Sequence, residues 1–523
     1  MSDMKKYLYI FIILLVSSCF VDKGNYSYKD INEIIIDVSS IPTEYNVTQF
    51  EKLTITPVIK FSQNTVSEEN LEYKWTIFNT NYANRFSEII GTGKVFDKTI
   101  TQQSSANSYA LVLDVKDKKT GIAAQQRFTV WINSEVISGW VVVHSKDGKS
   151  DIDYIATTNA VPSLTENRHL KNVFSLVNKT KMNGNAKFIA GARRNNTVIN
   201  SVYIGTESEL YKVKGKTFEL ELTFQNMFTI VPGTIKPQLY EIGGLYANYQ
   251  FLINNGKAHA ISNQSAWENT FSYALPPNVS TLNATEVDLA PFVYIPETFP
   301  SSTKFGGVFY DKLGQRFVIM PYATTPTTTL SKFNDQINSI FNLNNIGKEI
   351  IYFEKGFNNY GYAIFKSNNI TDRWLYIANF NVAMNSNMAV AMYNMTALPE
   401  ITSAKFYSTG NRGNVLLYAT NRDIYTYDYS GSNSATKINN PFPANEEITC
   451  MKIYKPGTGN NLGNANGAIL YVATWNGTEG KLYEFSMNEA NGYLRVKEPL
   501  NVFSGFDKIM DMNHKLEGTG TGS

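Results

Sequence analysis

Hydrophobic and polar residues alternate in the segment from Leu71 to Trp75. Leu71, Tyr73 and Trp75 fall on one face of an extended chain, and Glu72 and Lys74 fall on the other. Successive side chains of a β-strand point to opposite faces, so this pattern predicts a strand with one buried face. We expect Trp75 to lie buried between two sheets.

Similar β-rich runs, separated by polar turns, fill the first part of the chain after a short tether. They predict a small all-β domain over residues 34–135. The last two runs flank Thr120-Gly121 and have the shape of a terminal hairpin. The predicted strands are Ile34–Val38, Leu53–Ile59, Leu71–Phe78, Tyr109–Val115 and Arg127–Ile132.

From Trp140 onward, pairs of short strands recur. Each pair is a buried run ending at a small residue and Thr, then a polar turn, then a second run of the form Leu-Tyr-x-hydrophobic. The clear copies are Val202–Thr206 with Leu210–Val213, Leu417–Thr420 with Ile424–Tyr427, and Leu470–Thr474 with Leu482–Phe485. Looser copies are Val141–His144 with Ile152–Ile155, Phe251–Asn254 with Ala258–Ser262, Val308–Tyr310 with Arg316–Met320, and Tyr362–Phe365 with Trp374–Ala378.

These copies recur at intervals of 42 to 65 residues, near the ~40–50 residues of a propeller blade once loop insertions are added. The spacing predicts a β-propeller over residues 136–515, with seven blades favoured and six or eight left open. A second set of sandwiches is the structural alternative. A propeller must close its sheet edge, and we expect Lys508–Met512 to pair in the blade that contains Val141–Val143.

Composition narrows the range of partners. The chain has 523 residues, enough for two or three domains. Removing residues 1–18 takes away Lys5, Lys6 and Asp3 and leaves 45 basic and 44 acidic residues from 47 and 45. No basic excess remains to attract nucleic acid. The 32 Tyr and 31 Phe suit β-structure and surfaces that stack on sugars or peptides.

The N-terminus has the form of a bacterial lipoprotein signal. Lys5 and Lys6 precede the apolar run Tyr7–Val16, which is too short to span a membrane, and Ser17-Ser18 leads to Cys19. We expect residues 1–18 to be a cleaved signal peptide, Cys19 to be lipidated, and residues 19–33 to form a tether. The alternative is an ordinary secretory signal with a chance cysteine. Residues 516–523 are predicted to be a disordered tail.

Two features resemble a known family. The Tyr73-x-Trp75 strand followed by a terminal hairpin resembles the PKD-type immunoglobulin-like sandwich. The lipobox that ends at Cys19 and the seam Ser138–Val143 add to this likeness, and the chain as a whole resembles the PKD-like lipoproteins of Bacteroidota. The resemblance implies an accessory lipoprotein of a SusC/SusD-type importer, anchored in the outer membrane and facing the cell exterior. Asp22 is the one acidic residue directly after the cysteine, where that lineage usually has several.

Candidate chemistry is sparse. The four histidines lack zinc-ligand spacing, and Cys450 lies in an apolar run typical of a buried hydrophobe. The glycine-rich run Gly457–Gly467 precedes a strand and is interpreted as a hairpin connection, because a phosphate loop must open a helix. Trp267 and Trp475 are flanked by amide side chains and are the candidate ligand-binding residues. Packing of each ring at a blade edge is the alternative.

The sequence therefore predicts a non-catalytic binding protein that captures an oligosaccharide or oligopeptide, with no cofactor, no metal and no catalytic residues. Two alternatives stay open. One is a propeller hydrolase or lyase acting on a glycan, because a central channel can assemble carboxylates from several blades without any local motif. The other is a purely structural subunit of the importer complex.

Overall fold

The computed structural model of the protein is almost entirely β-structure, with 50% strand and 5% helix. The chain divides into two compact units, each described here by itself. The first comprises Met1–Val47, Glu51–Thr99 and Ser105–Ile132, and the second Thr48–Phe50, Ile100–Ser104 and Asn133–Ser523. The structure describes residues 30–81, 86–133, 138–161, 164–193, 199–242, 249–262, 270–296, 305–321, 328–367, 371–439, 441–456 and 465–515.

The first unit is a β-sandwich. Its described residues form nine strands: β1 (Ile34–Asp37), β2 (Glu44–Thr48), β3 (Lys52–Ile55), β4 (Val58–Phe61), β5 (Leu71–Asn79), β6 (Glu88–Gly91), β7 (Phe96–Thr99), β8 (Tyr109–Asp117) and β9 (Ala123–Asn133). They make three sheets, ordered β2-β9-β8-β5-β6, β1-β4 and β3-β7.

Trp75 occupies the centre of this unit, as predicted. Its side chain is fully buried, and its ring centroid lies 5.2 Å from that of Phe96 in β7 and 5.8 Å from that of Phe128 in β9. The indole Nε1 donates a hydrogen bond to the Gly93 carbonyl at 2.8 Å. The ring therefore fills the space between two sheets, and its one polar atom is satisfied.

One predicted strand of the sandwich was wrong in extent. The run Leu53–Ile59 is divided into β3 and β4, which belong to different sheets. Pro57 lies at the break, and a proline has no N–H with which to continue a ladder. The short strands β2, β6 and β7 were not predicted, because four- or five-residue segments with polar positions lack a clear period-two pattern.

The described residues of the second unit form seven antiparallel sheets. In chain order their strands are β10 (Gly139–Lys146), β11 (Lys149–Ala156), β12 (Arg168–Leu170), β13 (Met182–Asn183), β14 (Ala186–Arg193), β15 (Ile199–Thr206), β16 (Leu210–Lys214), β17 (Leu220–Thr223), β18 (Pro237–Ile242), β19 (Tyr249–Asn254), β20 (Lys257–Ser262), β21 (Phe305–Asp311), β22 (Arg316–Pro321), β23 (Glu349–Lys355), β24 (Gly361–Lys366), β25 (Trp374–Ala378), β26 (Ala389–Asn394), β27 (Phe406–Thr409), β28 (Leu416–Ala419), β29 (Ile424–Asp428), β30 (Ser434–Ile438), β31 (Glu447–Ile453), β32 (Ile469–Trp475), β33 (Gly480–Ser486), β34 (Asn501–Phe506) and β35 (Lys508–Lys515).

These seven sheets are the blades of a β-propeller. Blade 1 is β12-β11-β10-β35, with the short strand β13 also paired with β11. Blade 2 is β14 to β17, blade 3 is β18 to β20, blade 4 is β21-β22, and blades 5, 6 and 7 are β23 to β26, β27 to β30 and β31 to β34. Each predicted strand pair falls on two adjacent strands of one blade, for example β15-β16 in blade 2 and β32-β33 in blade 7. The predicted fold class, a sandwich followed by a propeller, is confirmed.

Blade 4 departs from the regular pattern. Its two strands are flanked by isolated bridges, Leu289 with Asp311 and Tyr294 with Val308 on one side, and Ser331 with Ile319 on the other. The segment before β21 carries Pro291 and Pro296, which cannot donate to a ladder. It therefore takes the innermost position of the blade without forming a continuous strand.

The last strand closes the ring. β35 pairs antiparallel with β10, with Val142 opposite Met512 and Val143 opposite Asp511. The predicted pairing of Lys508–Met512 with the blade of Val141–Val143 is confirmed. Blade 1 thus combines strands from the two ends of the propeller sequence.

Among the described residues, helical structure is minor and confined to connections. These residues form the α-helices α1 (Val173–Asn178) and α2 (Val279–Leu282) and the 3-10 turns Glu68–Asn70, Phe224–Asn226, Phe357–Asn359 and Ile401–Ser403. Within the described part of the chain, no helix has the length and apolar character needed to cross a bilayer.

Candidate functional site in the central channel

The innermost strands of the blades surround the central channel. In blades 1, 2, 3, 5, 6 and 7 these are β35, β14, β18, β23, β27 and β31, and neighbouring members contact one another. Each is antiparallel to the next strand of its blade. Because the blades of a propeller repeat one arrangement around the axis, the innermost strands all run in one direction and end at the same face. Polar side chains near those ends meet across the channel.

Lys452 and Asp511 join blades 7, 1 and 2. The Lys452 Nζ lies 2.7 Å from Asp511 Oδ1 and donates to the Met512 carbonyl at 2.6 Å. The second oxygen of Asp511 accepts a hydrogen bond from the backbone N–H of Ile189 in β14, at 3.0 Å. One ion pair therefore links three blades.

Glu354 and Lys455 join blades 5, 6 and 7. The Lys455 Nζ lies 2.5 Å from Glu354 Oε1. Glu354 Oε2 accepts hydrogen bonds from the backbone N–H and the hydroxyl of Thr409, at 2.8 and 2.9 Å, and from the hydroxyl of Tyr352. Both oxygens of this carboxylate are therefore bonded to neighbouring residues, which come from three blades.

Lys355 connects blade 5 to blade 4. Its ammonium lies 5.3 Å from the ring centroid of Tyr294, a cation–π contact. The Tyr294 hydroxyl donates to the Asn359 carbonyl and accepts from the Asn381 side chain at 2.8 Å. The aromatic ring is thus fixed under the ammonium group.

Blade 3 contributes Glu241, near the end of β18. The charges that act on its carboxyl group are Lys355, Lys452 and Glu354, from blades 5 and 7. Six charged side chains from four blades therefore face one another in the channel. We call them the channel belt: Glu241, Glu354, Lys355, Lys452, Lys455 and Asp511.

Members of the channel belt are enclosed by protein but keep some contact with solvent. Glu354, Lys452 and Lys455 retain 29, 35 and 16% of their side-chain accessibility, although each is surrounded by protein deeply enough for burial to act strongly on its pKa. Glu241 shows the same combination. This is expected of residues that line a narrow accessible channel.

The carboxyl groups of the belt differ in their protonation. Burial raises the pKa of Glu241 to about 7, and the attraction of Lys355 and Lys452 offsets only part of that effect. Burial also disfavours the charge on Glu354, but the ion pair with Lys455 and the hydrogen bonds from Tyr352 and Thr409 together outweigh it, and the pKa of Glu354 lies below its usual value. The charge of Glu241 therefore changes near neutral pH.

A second polar cluster lies on blade 1, next to the end of blade 7. The buried carboxylate of Asp153 lies 3.0 Å from His144 Nε2 and 2.7 Å from His169 Nε2. The His169 ring stacks on Phe506 with centroids 4.8 Å apart. Within the described ranges, no three His, Cys, Asp or Glu side chains are arranged to hold a metal ion.

Of the residues selected from the sequence, the structure describes Trp475, which does not belong to the channel belt. Trp475 ends β32 and is partly buried, opposite Glu447 at the start of β31, whereas Lys452 lies near the end of that strand. Asn476 follows Trp475, and its side-chain oxygen accepts hydrogen bonds from the N–H groups of Thr478 and Glu479. These bonds stabilise the turn. Trp267 and Cys19 lie outside the described residues.

The structure places two other sequence features. Cys450 is buried in β31, and burial raises the pKa of its thiol to about 12, as expected of a core residue. The run Gly457–Gly467 connects β31 to β32 in blade 7, as interpreted, and its residues 457–464 lie outside the described ranges.

Comparison with protein families supports the assignment of the first unit. A model described as the PKD-like family matches residues 19–186. No curated protein matches the chain.

Comparison with solved structures supports the propeller. The chain is similar to a quinonprotein alcohol dehydrogenase-like protein from Bacteroides thetaiotaomicron, with a TM-score of 0.52 and 14% identity, over 93% of this chain and 100% of that one. It also matches the WD40 domain of SCAP from fission yeast (TM-score 0.35, 9% identity, 61% of this chain and 74% of that one). The Nup133 β-propeller domain of Vanderwaltozyma polyspora matches with a TM-score of 0.31 and 11% identity, over 62% and 91%. At these identities, the first of the three shows the fold alone.

Proposed function

We propose that this protein is a non-catalytic binding protein, anchored through a lipid on Cys19 to the outer membrane and facing the cell exterior. In this proposal it is an accessory of a SusC/SusD-type importer and captures an oligosaccharide or an oligopeptide. The lipobox and the PKD-like match to residues 19–186 support the setting. The propeller would supply the ligand face.

The proposal that the protein does not catalyse a reaction rests on the pairing of charges in the channel. Asp511 is committed to Lys452 and Ile189, and Glu354 to Lys455 and Thr409. A general acid and base need a carboxyl pair that faces the reacting bond. Carboxylates held in ion pairs between blades stabilise the ring and provide a fixed polar surface instead.

Binding without turnover is the expected result. Mature protein incubated with panels of oligosaccharides and peptides should bind a subset and release no products. Trp475→Ala should weaken binding if the ligand stacks on that ring, whereas Trp131→Ala, an exposed tryptophan in the first unit, should not. Products released by a clean preparation would contradict the proposal.

The lipid anchor has its own test. Cys19→Ala should move the protein from the membrane fraction to the soluble fraction, since two or three acyl chains hold a protein on a bilayer firmly. A variant that stays membrane-bound would contradict lipidation at Cys19. Co-purification with a transporter combined with failure to bind any nutrient would indicate the purely structural subunit.

Glu241 favours one alternative, a hydrolase or lyase acting on a glycan. A carboxyl group with a pKa of about 7 in an enclosed channel has the protonation expected of a general acid. If the protein is such an enzyme, Glu241→Gln should abolish product release and leave substrate binding intact. Trp475→Ala should then change KM more than kcat.

A further inference from the structure

We propose that β26, the outermost strand of blade 5, is a docking edge that pairs with an extended, uncharged segment of a partner protein. The inference goes beyond the proposed function, because it concerns the outer side of one blade and not the central channel. The partner segment would lengthen the sheet of blade 5 by one strand. In this mode of recognition, backbone hydrogen bonds give affinity and side-chain contacts give specificity.

The backbone of β26 presents hydrogen-bonding groups on its outer edge. The Met395 N–H donates to the Arg373 carbonyl at 2.8 Å, and Asn394 lies opposite Trp374 in the same register. Antiparallel strands bond through alternate residues, so the N–H and C=O groups of Met392 and Asn394 point away from β25. Within the described part of the chain, β26 ends the strand order of its sheet and these groups have no backbone partner.

The side chains along this edge are apolar and exposed. Val390 and Met392 are 40% and 39% exposed, whereas Ala391 and Tyr393 pack inward against the core between blades 5 and 6. Val390 has no partner in β25, because the register shifts there, and the regular edge runs from Ala391 to Asn394. Such an edge fits an extended segment with apolar side chains at alternate positions.

A neighbouring loop adds an apolar rim. The Gln336 side chain donates to the Ser386 carbonyl at 2.9 Å and accepts from the Met388 N–H at 3.1 Å, directly before β26 begins. These two bonds fix the loop beside the start of the strand. Ile337 and Ile340 of this loop are 86% and 55% exposed. Apolar side chains held in place by their backbone cost less ordering on binding than those of a free loop.

Other outermost strands of the propeller are protected against pairing. β34 contains Gly505, whose φ of 88° interrupts an extended edge. β12, β17 and β30 each carry a charged residue in an ion pair: Arg168 with Glu166, Glu221 with Lys212, and Lys437 with Asp423. Charges and irregular backbone are devices that keep strand edges from pairing. Residues 386–394 contain no charged residue and no proline, so the regular part of β26 lacks these devices.

The chemistry of the edge indicates its occupant. Alternating N–H and C=O groups are matched by a polypeptide backbone and not by a saccharide. The uncharged side chains of residues 386–394 offer no counter-charge, so the pairing segment should itself be uncharged. An apolar edge that stays open promotes aggregation. A lasting partner protein therefore fits this edge better than a nutrient that binds and leaves.

The experiment measures fluorescence anisotropy with the full mature protein. The probe is the labelled peptide fluorescein-Gly-Gly-Thr-Val-Thr-Val-Thr-Val-amide, which is uncharged along its strand. Two further probes carry N-methyl groups on all valines or on all threonines. Because a strand pairs through one of its edges, we expect one methylated isomer to bind at least tenfold more weakly than the parent peptide and the other to keep its affinity.

Variants assign the binding to β26. Met392→Pro removes the outward N–H and keeps the ladder with β25, since proline is tolerated where an edge N–H faces solvent, and should weaken binding at least tenfold. Met392→Lys, which adds a charge to the edge, should do the same and serves if the proline variant does not fold. Ile337→Ala should weaken binding severalfold. Val502→Ala, at an exposed valine of β34, is the matched control and should bind like the wild type. Thermal unfolding shows that each variant is folded.

The outcomes are decisive for the docking edge. No binding of the parent peptide, unchanged binding of both methylated isomers, or wild-type affinity in folded Met392→Lys would overturn it. Sedimentation showing a dimer that Met392→Lys dissociates would identify a second copy of this chain as the occupant and overturn the partner protein. Nutrient capture is measured separately by the panel of oligomers, so failure of either proposal leaves the other standing.

Discussion

At the scale of single residues, the aromatic side chains carry much of the packing. Trp75 is fully buried against Phe96 and Phe128, and its Nε1 is hydrogen-bonded to Gly93. Removing it would leave a large cavity between two sheets and an unsatisfied carbonyl. Its neighbours in a close-packed core can relax only partly.

Trp75→Ala should therefore destabilise the first unit by roughly 3–5 kcal/mol. Chemical denaturation followed by circular dichroism would measure the loss. Trp131→Ala is the matched control, because this residue is 36% exposed and removal of its side chain leaves no comparable cavity. An unchanged unfolding transition for Trp75→Ala would contradict the buried position of this ring.

Asp153 provides a prediction about acid stability. Burial alone would raise its pKa, but the hydrogen bonds with His144 and His169 outweigh burial and lower the pKa to about 2. A carboxyl whose pKa is lower in the folded state stabilises that state above its unfolded pKa. The difference from the ordinary value of 3.8 corresponds to roughly 2 kcal/mol, which is lost as the pH falls from about 4 to about 2.

The measurement is the free energy of unfolding in urea between pH 5 and pH 2.5. The difference between the wild-type protein and Asp153→Asn should shrink over this range, because protonation removes the same charge as the substitution. For Glu498→Gln, at an exposed position, the free energy of unfolding should follow that of the wild type over the whole pH range. A constant difference between wild type and Asp153→Asn would contradict the prediction.

At the scale of elements, the central strands of the blades were the predictable part. Their residues are buried on both faces, as in β28 and β32, so they appear as short apolar runs separated by turns. The innermost strands end in charged residues such as Lys355 and Glu241, which hide the apolar pattern. The channel belt could not be predicted, because its members Glu241 and Asp511 are 270 positions apart in the sequence and come to the same channel only when the ring forms.

One glycine shows how tightly adjacent strands of a blade pack. A Cβ on Gly205, in β15, would lie 2.2 Å from Cε1 of Phe188 in β14. Gly205→Ala should therefore destabilise the propeller by about 1–3 kcal/mol through overpacking. Gly233→Ala is the control, because a Cβ there would meet no atom within 4 Å, and it should be neutral or slightly stabilising. Equal unfolding midpoints for the two variants would show that Phe188 moves aside without cost.

At the scale of the whole propeller, stability depends on closing the ring. β35 supplies the innermost strand of blade 1, and Ile509 and Met512 are fully buried. The same strand carries Asp511, which connects Lys452 of blade 7 to Ile189 of blade 2. Loss of β35 would thus remove both a hydrogen-bonded ladder and an ion pair that ties three blades.

Ending the chain after Asp507 should therefore expose the β10 edge and break the Lys452–Asp511 link. Because unpaired edges template aggregation, we expect the truncated protein to aggregate or to lose the cooperative unfolding transition of the propeller. Ending the chain after Lys515 is the control, since it keeps all of β35 and removes only residues 516–523. Size-exclusion chromatography and scanning calorimetry distinguish the two. A protein shortened to Asp507 that stayed monomeric and melted like the control would mean that the other six blades hold the ring without its closing strand.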